Sequence, residues 1–117
     1  MNAHFKNIRK DAVFTRSGTK EIFEKISQTQ HNSKIRYVVL FGSEARGNAT
    51  ITSDVDIAII SDEPLTAAER REFAEPLEAI KFPECRIINT LTADLSTENF
   101  MDVNYHIKRE GVVIYER

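Results

Sequence analysis

Four short apolar segments constrain this chain more than anything else in it: IRYVVLF at 35–41, DVDIAII at 54–60, CRIINTL at 85–91 and VVIY at 112–115. The first is β-branched and aromatic, too short and too uniformly apolar for a surface helix, so it predicts a buried strand. The second is polar where it begins and wholly apolar where it ends. Helical spacing lies between and around them. Residues 18–31 put Ile22, Phe23 and Ile26 on one stripe behind Ser17 as N-cap. After Pro64, Thr66 and Glu69 form a capping box for a helix to about Ile80 that carries Leu65, Phe73 and Leu77, with Pro76 expected to kink it near Glu75. Ser96 is expected to open a last helix bearing Phe100, Val103 and Ile107, with Lys108 and Arg109 near its end and Gly111 as the stop. Helices alternating with buried strands predict an α/β sandwich around a small sheet.

At 117 residues, 41% of them apolar, the chain suffices for one domain with a core of its own, residues 1–17 being a loosely ordered or helical extension. A single cysteine, Cys85, excludes an internal disulfide framework and a cysteine-based zinc site, and fits a reducing compartment. No apolar run has a membrane span's length, and MNAHFKNIRKDAVF lacks a signal peptide's apolar stretch, so a soluble, cytoplasmic protein without a membrane partner is expected. Residues 1–36 carry eight basic side chains against three acidic ones, either a surface for an anionic partner or a solvated face. No basic stripe interleaved with aromatics follows, which disfavours nucleic acid as a partner.

The chemistry concentrates in GSEARGNATITSDVD, residues 42–56. Gly42 and Ser43 follow a buried strand directly, where a glycine lets a ligand approach the backbone and turn amides with a serine hydroxyl can cradle phosphate oxygens. Asp54 and Asp56 are two apart at the start of the next strand. Positions i and i+2 share one face, so the two carboxylates can hold divalent cations together with phosphate oxygens. Other readings fail: Asn48 and Ala49 stand where a Walker A loop needs Lys and Ser/Thr, and Ala58 with no glycine rules out a calcium loop. His4, His31 and His106 are too scattered for a triad or a metal site, and Cys85 reads as a small core residue.

Gly42-Ser43, ten residues, then Asp54-x-Asp56 resembles the signature of the DNA polymerase β-like nucleotidyltransferase superfamily. GSEARG followed by TSDVDIAII, with the ending HIKREGVVIYE, is similar to its minimal nucleotidyltransferase branch over residues 20–116. The resemblance implies an α/β (α+β) nucleotidyltransferase fold, a small mixed sheet packed with helices, in a single domain. It implies that Gly42 and Ser43 hold the β- and γ-phosphates of a nucleoside triphosphate, ATP or another, and that Asp54 and Asp56 bind Mg²⁺. A hydroxyl then attacks the α-phosphate. Arg46 is either a phosphate contact or a structural ion-pair partner.

Active relatives carry a third acidic residue on the neighbouring strand. Pattern alignment puts Asn89 there, a degenerate third position that can ligate through its carbonyl oxygen but cannot act as a base. Asp94 would reach the site only through a loop that folds back, and Glu84 precedes the strand. Two expectations follow. One, which the resemblance implies, is a Mg²⁺-dependent transferase, antitoxin to a helical HEPN-type toxin, that moves AMP to a hydroxyl of its partner. The other is a catalytically weakened module that neutralises a partner by docking. A chain this short would borrow its acceptor surface from another protein or from a homo-oligomer.

Overall fold

The computed structural model describes residues 7–8, 21–22, 24–26, 32–46, 54–80 and 84–117. Five strands, β1 (Asn7–Ile8), β2 (Ile35–Phe41), β3 (Val55–Ser61), β4 (Cys85–Leu91) and β5 (Val112–Glu116), form one mixed sheet in the order β1-β5-β2-β3-β4. β2 is antiparallel to both β3 and β5, whereas β4 is parallel to β3 and β1 to β5. Three helices, α1 (Gly42–Arg46), α2 (Ala67–Glu78) and α3 (Val103–Glu110), join a 3₁₀ turn at Thr92–Ser96 and helical residues at 21–22 and 24–26.

The apolar strands are buried on both faces. On one, Val38, Leu40, Val55, Ile57, Ile59, Val112 and Ile114 pack with Ile22, Ile26, Phe73 and Leu77. On the other, Tyr37, Val39, Ala58, Ile60 and Val113 pack with Leu95 and Ile107. The expected helical stripe is present in Ile22 and Ile26, while Phe23 and Ser17 lie outside the described residues. Parallel β3 and β4 need a crossover, and α2 supplies it.

The capping box forms as its sequence predicts: Thr66 Oγ1 accepts from Glu69 N–H at 3.1 Å, and Glu69 Oε1 accepts from Thr66 N–H at 2.9 Å. Glu69 also takes Lys34 Nζ at 2.8 Å and Asn32 Nδ2 at 2.7 Å. These donors, Lys34 first, bring its carboxyl from the usual range down to about 2.

Several local expectations are corrected. Pro76 does not divide α2, which runs through it and ends at Glu78; a proline so near the C-terminus interrupts little of the ladder. Ser96 does not open the last helix. Asp102 caps it instead, accepting from Asn104 N–H at 2.9 Å, so Phe100 is left in the preceding turn, 66% exposed. Gly111 ends α3 with an ordinary φ of −65°, and glycine serves there because a Cβ would collide with the Ile107 carbonyl and Val39. Within the expected N-terminal extension, residues 7–8 form a strand against Val112 and Val113.

Candidate functional site

The site is built by the β2–β3 register. Phe41 pairs with Asp56, so the chain leaving β2 turns at Gly42 beside that carboxylate. Gly42 has a φ of +74°, a left-handed conformation that side chains resist, and a Cβ there would collide with Asp56 Oδ2. The sequence therefore needs glycine twice over, for its backbone and for the carboxylate pressed against it. Ser43 follows in α1, half-buried. Asp54, also half-buried, immediately precedes β3, where the Val55 amide donates to the Glu84 carbonyl at 2.8 Å. The side chain of Arg46 lies outside the described residues.

The neighbouring strand departs from the sequence expectation. Parallel pairing sets Asp56 opposite Arg86 and Ile59 opposite Asn89. Asn89 is thus three positions beyond the carboxylate. By strand alternation it belongs to the opposite face of the sheet, with Cys85 and Ile87. Its bonding is all structural: Oδ1 accepts from Leu65 N–H at 3.1 Å, and Nδ2 donates to the Ile59 carbonyl and to Ser61 Oγ, both at 3.0 Å. Asn89 clamps the chain between β3 and α2 and does not stand beside Asp56, as the sequence alignment expected; the β4 residue that does is Arg86. Asp94 is exposed in the 3₁₀ turn beyond the far end of β4, on the order of 16 Å of strand away. Glu84, exposed, is at the same end as the aspartates, nearer than the sequence suggested.

Arg86 Nε stands 3.8 Å from Asp56 Oδ1, the guanidinium side chain 68% exposed and the carboxylate 23%. Sequence reasoning missed this residue. The available signal was parity, because apolar Ile87 facing α2 turns Arg86 to the face of Asp56. Among the described residues no group of three His, Cys, Asp or Glu side chains is placed to hold a metal. Asp54 and Asp56 fit one divalent cation that takes its other ligands from phosphate and water. Among the described residues the β4 position beside Asp56 holds Arg86 and not a further acidic ligand.

His106 is exposed on α3, its Nε2–H donating to the Phe100 carbonyl at 2.7 Å, and His4 and His31 lie outside the described residues. Half-buried Cys85 has its thiol pushed up to about 11 by burial and by the Glu84 charge, as suits an inert packing residue. No helix among the described residues is long and apolar enough to cross a membrane.

No curated protein matches the chain. Among solved structures it is similar to a toxin–antitoxin with AMP-PNP, at 19% identity over 86% of this chain and 74% of the other, with a TM-score of 0.58. A variant of the MntA–HpeT toxin–antitoxin with two aspartate-to-glutamate changes is similar at 16% identity, 84% and 72% coverage and a TM-score of 0.56. These likenesses are of fold. The family model described as polymerase beta, nucleotidyltransferase, matches residues 24–117, and on that match the chain belongs to the polymerase beta nucleotidyltransferase family.

Proposed function

We propose that the chain is a nucleotidyltransferase that moves the nucleoside monophosphate of a nucleoside triphosphate, AMP from ATP, onto a hydroxyl of a partner protein. The observation that carries this reading is the Asp56 carboxylate packed against the left-handed Gly42 turn, beside Ser43 and two residues from Asp54. The amides of the Gly42 turn and the Ser43 hydroxyl bind the β- and γ-phosphates. Asp54 and Asp56 would hold a Mg²⁺ ion, which when bound neutralises phosphate charge and polarises the reacting phosphoryl group. The acceptor oxygen bonds to the α-phosphorus, the bond from that phosphorus to the bridging oxygen breaks, and pyrophosphate leaves. The hydroxyl proton goes to water. The chain's own contribution is position and charge.

That the partner is a helical HEPN-type toxin met in the cytoplasm follows from the sequence resemblance and is part of the proposal. The toxin–antitoxin neighbours support an antitoxin role. So do Phe100, Met101 and Val103, exposed by 66%, 79% and 49% in one short stretch, an apolar surface for a protein to cover. A second reading, a weakened module that neutralises its partner by docking, is favoured by the Arg86–Asp56 ion pair. One experiment separates them. The protein is incubated with α-labelled ATP, Mg²⁺ and the protein encoded beside its gene. Label on the partner supports transfer, and a stable complex without label supports docking alone.

A further inference from the structure

We propose that Arg86 is a built-in cation of the nucleotide site, which therefore takes a nucleoside triphosphate with one divalent metal ion rather than two. The inference rests on the nucleotide-binding reading above and deepens it. Its first support is register: Asp56 and Arg86 are direct partners on parallel strands, so both side chains rise from one face of the sheet. The second is geometry. Asp56 turns Oδ2 to the Gly42 turn and Oδ1 to the Arg86 guanidinium, whose Nε is 3.8 Å away, so a cation already stands on the β4 side of this carboxylate.

The third support is charge. A two-metal site with three carboxylates carries one net positive charge against the triphosphate. Asp54, Asp56 and Arg86 with a single divalent ion carry the same. One guanidinium thus replaces a carboxylate together with the metal it would hold. It is also a suitable group for the task, since its fork of N–H donors exceeds what Asp56 can occupy and the side chain is 68% exposed, leaving donors for phosphate oxygens. Arg86 belongs to the edge strand β4, so a ligand reaches it without displacing another strand.

The test measures metal stoichiometry and affinity, not turnover. Full-length wild type, Arg86→Gln and Arg86→Asp are titrated with a non-hydrolysable ATP analogue by calorimetry, in Mg²⁺ and in EDTA. Bound Mn²⁺ is counted by electron paramagnetic resonance with the analogue saturating. Circular dichroism confirms that each variant is folded, as expected for an exposed position. Wild type should bind one Mn²⁺ per nucleotide. Arg86→Gln should weaken the analogue about tenfold or more, the scale of one contact to a charged group, with the larger fractional loss in EDTA. Arg86→Asp should raise bound Mn²⁺ from one to two. Two Mn²⁺ in the wild type, or unchanged analogue affinity in Arg86→Gln, overturns the proposal and leaves the nucleotide reading standing. No analogue binding by wild type in either buffer overturns both.

Discussion

The two ends of β3 carry equally polar residues and put them to opposite uses. At the far end every such group is spent on the fold. Asn89 bonds Leu65, Ile59 and Ser61; Ser61, fully buried, donates to the Glu63 carbonyl at 2.7 Å; and Thr92 bonds the Ser61 carbonyl and Asp62. Asp62 in turn faces Arg36 and Arg117 at 3.6 and 3.4 Å. At the near end a carboxylate is pressed against the left-handed Gly42 with a cation beside it, an arrangement that contributes little stability, since exposed ion pairs give about 0–1 kcal/mol. The difference teaches how to sort polar strand residues. Those saturated by backbone partners hold the fold, and those set beside a charged group and a left-handed glycine are candidates for ligand binding.

Substitutions at the two ends should separate binding from stability. The largest effect is expected for Asp56→Ala, which should cut Mg²⁺-dependent labelled transfer by about 10²-fold or more, because the cation's several kcal/mol of charge stabilisation goes with it. Its urea midpoint should stay near that of wild type; an unfolded variant would break the contrast. Gly42→Ala should lower stability by roughly 1–2 kcal/mol for the left-handed backbone alone. The displaced Asp56 should weaken nucleotide binding in the same variant, read by calorimetry.

The far end gives the reciprocal result. Asn89→Ala should cost about 1–3 kcal/mol by leaving the Leu65 amide and its other partners unpaired, with nucleotide affinity unchanged. Asn89→Asp should also destabilise, setting a carboxylate against the Ile59 carbonyl, and should bring no gain in transfer. A gain would return Asn89 to the site. The smallest effect is expected at Glu69. With its carboxyl held at about 2, its contribution is complete above about 4.5, the unfolded value, and is lost as pH falls through that window toward 2. Urea midpoints of wild type and Glu69→Gln should therefore differ at pH 6 and converge near pH 2.

Much of this was legible in the residues because local rules sufficed. The apolar runs gave β2 and β4 their observed bounds, and Thr66 with Glu69 gave the start of α2. The Gly42-Ser43 and Asp54-x-Asp56 pieces marked where strand ends meet, since both interrupt apolar runs. What escaped depends on relations between segments. How far one parallel strand is shifted along another is written in neither, so aligning Asn89 by its apolar neighbours chose the wrong face and hid Arg86. Ser96 and Asp102 are both good caps, and only tertiary packing of Leu95 and Ile107 on the sheet decides between them. Two residues of β1 are too few to show any period.

The place of β2 in the sheet has a consequence in time. Val39 pairs with Ala58, 19 residues on, and with Val113, 74 residues on. At roughly 5–20 residues per second of synthesis, β2 waits about 3–11 s between its first partner and its second. Through that interval its other hydrogen-bonding edge is open and its apolar side chains are only partly covered, the state in which nascent sheets recruit strands from other chains. Yield during expression should therefore depend on how quickly β5 follows β2 out of the ribosome, more than on any single contact in the finished fold.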